Sequence, residues 1–232
     1  MNQLPTVLIP CLLGSPRLYA EQLPALWQSG PVILASHHHD DNLAAIASRI
    51  LASAPSQFGL VGLSMGGYLA FEIMRQAGHR VRRLAVLSTT ARPDTAEQSQ
   101  RRQDQIAQTR EGRFPEVVDT LCQRWVRPAR RHDRELQQVI HQMADETGPE
   151  AFIREQTAIM SRPDSRPGLM AISCPALVVA GADDQATTPE HAAEIADRIP
   201  GARLAVIPDC SHLSTLEQPV AVTRLLTEWL DQ

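Results

Sequence analysis

Ser64 sits in the segment Phe58-Gly-Leu-Val-Gly-Leu-Ser-Met-Gly-Gly67, where an apolar run meets Gly62-x-Ser64-x-Gly66 and then a helical stretch, Tyr68 to Gln76. A serine on a sharp strand-to-helix corner can project its hydroxyl as a nucleophile. The corner needs neighbours without side chains two residues to either side, as Gly62 and Gly66 are. A helix opening just after Ser64 aims its first amides at the same place, so the Met65 N–H is a candidate donor to a developing oxyanion.

A serine hydroxyl is a weak nucleophile at neutral pH and needs a base, usually histidine, which in turn needs a carboxylate to fix its tautomer. Two later segments offer these groups just past apolar runs. Ala176 to Ala180 leads into Gly181-Ala-Asp-Asp-Gln185, and Leu204 to Ile207 leads into Pro208-Asp-Cys-Ser-His212. Cys210 has no sharp turn to present it and is read as a packing residue.

These residues need a scaffold that gathers loop ends in one place. Short apolar runs at Thr6–Ile9, Val32–Ala35, Phe58–Leu63, Leu84–Leu87, Ala176–Ala180 and Leu204–Ile207 read as six buried strands. Helical signals lie between them, including Asp41 ahead of Leu43, Ile46 and Ile50, and Thr188 before Pro189. The alternation predicts an α/β fold, a mostly parallel doubly wound sheet of about six strands.

One stretch departs from that rhythm. Residues 91–171 carry amphipathic helical patterns and no strand, which predicts a helical cap inserted into a core made of 1–90 and 172–232. Asp94 with Glu97 reads as the capping box of its first helix. Arg-Pro-Asp occurs at both of its ends, 92–94 and 162–164, by chance or as a pair of stiff hinges. Trp125, Phe152 and Met160 are candidates either for the lining of a substrate pocket or for the insert's own core.

The insert is rich in arginine, including Arg101, Arg102, Arg110, Arg113, Arg124, Arg127, Arg130, Arg131 and Arg134. Such a cluster suggests an anion site, but the insert holds 13 Arg against 13 Asp plus Glu, so a balanced, solvated helical surface is the expectation. All 22 basic residues of the chain are Arg. The run His37-His38-His39-Asp40-Asp41 invites a metal reading, but adjacent residues point different ways, and a solvated loop at the rim of the site is expected instead.

With 232 residues, 43% hydrophobic and 21% charged, the chain can bury a substantial core. A net charge of −4 excludes a generally basic surface for nucleic acid or an anionic membrane. No apolar run is long enough to span a bilayer. Met1 to Pro5 has no positive n-region, so no signal peptide is expected. Four widely spaced cysteines without C-x-x-C pairing argue against structural zinc or a disulfide framework, and a cytoplasmic location is expected. Nothing in the sequence fixes an oligomeric state.

Along nearly its whole length the chain resembles the α/β-hydrolase superfamily, and the ending Ser211-His-Leu-Ser-Thr-Leu-Glu-Gln-Pro219 resembles the histidine loop of its small-ester and enol-lactone hydrolases. The resemblance implies Ser64, Asp184 and His212 as catalytic triad, with Asp183 as the alternative acid. It also implies an oxyanion hole formed by the backbone N–H groups of Leu12 and Met65. The expected function is cofactor-free cleavage of a small carboxylic ester or lactone through an acyl-enzyme. Carbon–carbon bond hydrolysis on the same triad and a non-catalytic small-molecule receptor are the alternatives.

Overall fold

A computed structural model describes residues 4–231; the expectation for Met1–Gln3 lies outside the described residues. Six strands form one parallel sheet: β1 (Thr6–Ile9), β2 (Val32–Leu34), β3 (Phe58–Leu63), β4 (Val81–Leu87), β5 (Ala176–Gly181) and β6 (Arg203–Ile207). Their spatial order is β2-β1-β3-β4-β5-β6. The ten α-helices among the described residues are α1 (Leu23–Ser29), α2 (Leu43–Ser53), α3 (Met65–Ala77), α4 (Ala96–Arg110), α5 (Phe114–Trp125), α6 (Arg134–Thr147), α7 (Pro149–Met160), α8 (Pro189–Arg198), α9 (Ser214–Glu217) and α10 (Pro219–Leu230).

The central strands read as unbroken apolar runs because both faces of the sheet are covered. All six residues of β3 and all six of β5 are buried. On β3 a Cβ at Gly59 would touch the Trp229 ring of α10, whereas one at Gly62 would meet the backbone of α3. Successive strand residues face opposite ways, so these two glycines show a helix on each side. Edge strand β6 instead leaves Leu204 and Val206 partly exposed.

Strand order places the function. The chain runs from β1 outward to β2 and then crosses back to β3 on the far side of β1, so the carboxyl ends of β1 and β3 flank a switch point. In open α/β sheets such a crevice receives ligands. Pro10–Leu13 leaves β1 there, and Ser64 leaves β3.

Between β4 and β5 the described residues form α4–α7 and no strand, in line with the helical pattern. Two sequence expectations for helix starts are corrected. Thr95, not Asp94, caps α4, in a reciprocal box with Gln98. Asp94 is drawn away to the guanidiniums of Arg102 and Arg162, both 2.7 Å distant. Asn42, not Asp41, caps α2, its side chain accepting the Ala44 and Ala45 N–H groups. Thr188 and Pro189 do open α8.

The two Arg-Pro-Asp segments lie against each other. Arg162 Nε donates to the Arg92 carbonyl (3.0 Å), and the Ser165 N–H donates to the Ala91 carbonyl (2.8 Å). With the buried Arg162–Asp94 pair, these contacts close the neck of the insert.

Gly62 and Gly66 set the β3–α3 corner. A Cβ on Gly62 would overlap the Gly66 carbonyl, and one on Gly66 would overlap the Ile9 carbonyl. Backbone cannot yield as a flexible side chain can. Gly66→Ala is therefore expected to lower stability by about 3 kcal/mol, read as a reduced midpoint in urea unfolding; an unchanged midpoint would show that the corner is not tightly packed.

Candidate active site

Ser64 has φ 55° and ψ −110°, in the left-handed region that a residue with a side chain rarely adopts. The surroundings hold it there. The Ser64 N–H donates to the Leu87 carbonyl (2.9 Å), and Thr89 Oγ1 donates to the Ser64 carbonyl (2.8 Å). With both backbone groups taken, the side chain stands out from the corner. Its Oγ lies 2.9 Å from His212 Nε2.

The loop after β6 delivers His212, and the loop after β5 delivers Asp184, as their placement past apolar runs predicts. His212 Nδ1 lies 2.8 Å from Asp184 Oδ2. The ring therefore has a carboxylate on one nitrogen and a hydroxyl on the other. Since the carboxylate can only accept, Nδ1 carries the proton and Nε2 is left to accept from Ser64. Asp184 is fully buried and accepts three further hydrogen bonds: Ala186 N–H (2.8 Å) and Thr187 N–H (3.0 Å) at Oδ1, and Thr187 Oγ1 (2.8 Å) at Oδ2. Burial pushes its carboxyl up, but His212 and the Thr187 bonds outweigh this and hold it below the usual carboxylate value. Asp183 points elsewhere: its carboxylate pairs with Arg127 at 2.7 Å and is partly exposed.

Leu12 and Met65 border the same place. Leu12 lines the cleft with Ser64 and His212, and Met65 is the first residue of α3. Among the described residues no protein acceptor is bonded to either N–H. Trp125, from the insert, lies against the His212 ring with centroids 6.2 Å apart, and its carbonyl accepts the His212 N–H (3.1 Å). Phe152 packs instead against Phe114 within the insert, and Met160 does not line the cleft. Cys210 is buried, and burial, reinforced by Glu217, raises its thiol pKa far above neutrality, so it stays protonated.

The sequence matches the alpha/beta hydrolase family over residues 6–225. The chain belongs to that family. It is 29% identical over 162 residues to 3-oxoadipate enol-lactonase 2 of Acinetobacter baylyi, a match covering 69% of this chain and 58% of that protein, so less than two thirds of the relative's length is spanned. A thermophilic esterase from Thermogutta terrifontis, solved with malate bound, superposes with a TM-score of 0.89 at 28% identity, covering 98% of this chain and 89% of the other. The enol-lactonase from Burkholderia xenovorans LB400 superposes with a TM-score of 0.88 at 25% identity, covering 100% and 93%. Family and neighbours agree on the α/β-hydrolase fold. No helix among the described residues is long and apolar enough to cross a membrane.

The histidine run departs from the solvated loop expected of it. His37 is buried, and its Nε2 lies 3.1 Å from both the Cys11 carbonyl and Glu155 Oε1; His38 Nδ1 lies 2.7 Å from the same carboxylate oxygen. The bond to the carbonyl requires the proton on His37 Nε2, so that nitrogen offers no lone pair to a metal. Glu155 is the residue that sequence reasoning missed. It is a fully buried acid from α7, and its Oε2 accepts the Leu13 N–H (2.9 Å). Leu13 itself has φ 59°, so Glu155 clamps a strained turn next to Leu12. Burial would raise the Glu155 pKa, but His37 and His38 more than offset this and keep it lowered.

Glu155→Ala would leave the Leu13 N–H and His38 Nδ1 without their acceptor, and His37 with the Cys11 carbonyl alone, at a cost of about 3 kcal/mol; thermal unfolding of the variant checks this. The Asp184 pKa is lower in the folded chain than in the unfolded one. Its contribution is therefore present above the ordinary carboxylate range and lost as pH falls through the lowered value. Asp184→Asn should be less stable than wild type at neutral pH, and urea titrations at descending pH should show the gap closing in acid.

Proposed function

We propose that the chain is a serine-dependent hydrolase that cleaves a carboxylic ester or lactone through an acyl-enzyme. The observation that carries this reading is the continuous chain Ser64 Oγ, His212 Nε2, His212 Nδ1, Asp184 Oδ2, with links of 2.9 and 2.8 Å on either side of the ring. Each distance lies within the range over which a base takes a proton from the nucleophile it activates.

In this mechanism His212 Nε2 removes the Ser64 proton as Oγ attacks the substrate carbonyl. The new negative charge falls between the Leu12 amide of the loop after β1 and the Met65 amide that opens α3, where stabilisation needs no reorganisation. Collapse of the tetrahedral intermediate expels the alcohol oxygen, which takes the proton from His212. A water then repeats the sequence on the acyl-enzyme, with His212 as base again, and releases the acid. Asp184 remains ionised throughout and stabilises the imidazolium formed at each stage. The helical insert forms the cap: Trp125 supports the histidine, and Glu155 keeps the Leu12–Leu13 turn in shape.

A fluorophosphonate probe should label wild type at Ser64, with hydrolysis of p-nitrophenyl butyrate as the parallel assay. Ser64→Ala should abolish both. His212→Ala and Asp184→Asn should each reduce kcat by roughly 10^4-fold, while Asp183→Asn should stay close to wild type. If Ser64→Ala turns over the ester as wild type does, the proposal is wrong. Failure of wild type to be labelled or to hydrolyse any ester or lactone would point instead to a binding protein.

A further inference from the structure

Arg101 and Arg102 of α4, Arg124 of α5 and Arg162 at the neck line the same cleft as Ser64 and His212. The sequence expectation of a solvated arginine surface is thus corrected for these four. An equal count of acids and bases along the insert says nothing about which way they face, and here the bases face the site.

Their neutralisation is incomplete. Arg102 and Arg162 share one carboxylate, Asp94, and Arg102 also donates to Gln156 Oε1 (2.6 Å). Arg162 lies over the Tyr68 ring, 4.3 Å from its centroid, fixed in place. Neither Arg101 nor Arg124 has a carboxylate within ion-pair distance among the described residues. Glu97, one turn before Arg101, is held chiefly by Thr95, and Asp184 is committed to His212. Partial desolvation, followed by repulsion from Arg101 and Arg102, lowers the Arg124 pKa against the weaker opposing pull of Asp184 and Tyr68. Like charges gathered in a cleft are unfavourable until an anion enters, and the guanidinium fork matches planar or tetrahedral oxyanions with paired hydrogen bonds.

We propose that the cleft above Ser64 takes a substrate carrying a second, anionic oxygen group, a carboxylate or a phosphate, held by Arg101 and Arg124 while the scissile carbonyl meets Ser64. The proposal rests on the serine-hydrolase reading for the reacting end alone; the anion site stands on the arginines. It disfavours a wholly apolar ester as the natural substrate.

Two measurements test it. First, kcat/KM for the mono-p-nitrophenyl ester of glutaric acid is compared with that for p-nitrophenyl butyrate, each divided by its rate of hydroxide hydrolysis. Wild type should favour the charged ester by about tenfold or more, added salt should erode the preference, and Arg101→Gln/Arg124→Gln should bring the ratio near one. Second, calorimetry with glutarate and with inorganic phosphate, at low ionic strength, should detect binding to wild type that the double variant loses. The tighter of the two anions identifies the group. Both side chains are solvent-accessible, and a thermal melt confirms that the variant is folded; Arg124→Lys, which keeps the charge, should retain part of the preference. If neither ester is turned over yet an anion binds and the double variant loses it, the hydrolase reading falls and the anion site stands. If neutral esters are hydrolysed with no charged-ester preference and neither anion binds, the anion site is refuted and the hydrolase reading survives.

Discussion

The site depends on one strained backbone corner. Ser64 occupies a left-handed conformation that costs energy, and it is kept there because β3 and α3 approach too closely for any other path. Gly62 and Gly66 permit that approach, and the bonds to Leu87 and from Thr89 hold the peptide units on either side. From this corner follow the outward aim of the hydroxyl, the inward aim of the first α3 amides and the line along which His212 must arrive. A relaxed corner would leave the imidazole and carboxylate correctly bonded to each other and useless to the serine.

Around the corner, the loops at the carboxyl ends of the strands draw partners from the helical insert. Trp125 supplies a carbonyl to the His212 amide, Arg127 ties Asp183 to Asp209, and Glu155 holds the turn after β1. Glu217 adds two bonds from within the histidine loop, accepting the Ser211 and Arg127 amides. The α4–α7 segment thus does more than border the cleft. Polar groups that the loops cannot satisfy among themselves are satisfied from above, in surroundings where leaving them unpaired is costly.

What could be read from the sequence was what is local. The strands announced themselves because a sheet covered on both faces needs continuous apolar runs, and the Gly62–Ser64–Gly66 spacing encodes the corner within five residues. His212 and Asp184 were legible as loop residues past strands, although only the fold brings them within bonding distance. Glu155 and His37 were opaque, and the arginines could be counted but not oriented, for one shared reason. Their roles are set by partners far away in sequence: Glu155 meets Leu13 across 142 positions, and neither end carries a mark of the other. Asp94 shows the same limit on a smaller scale, since its spacing to Glu97 suits a helix cap until two guanidiniums compete for the carboxylate.

The closed neck of the insert bears on how the chain assembles. Ala91 and Ser165 are bonded neighbours although more than seventy residues separate them, so the excursion begins and ends at one point on the core. Once β4 and β5 are paired, the intervening helices can condense among themselves through short-range contacts, with the loop-closure entropy already met by the sheet. Because the Ala91–Ser165 bond fixes where the excursion leaves and rejoins the core, a change of length between those residues need not shift the register of β4 against β5.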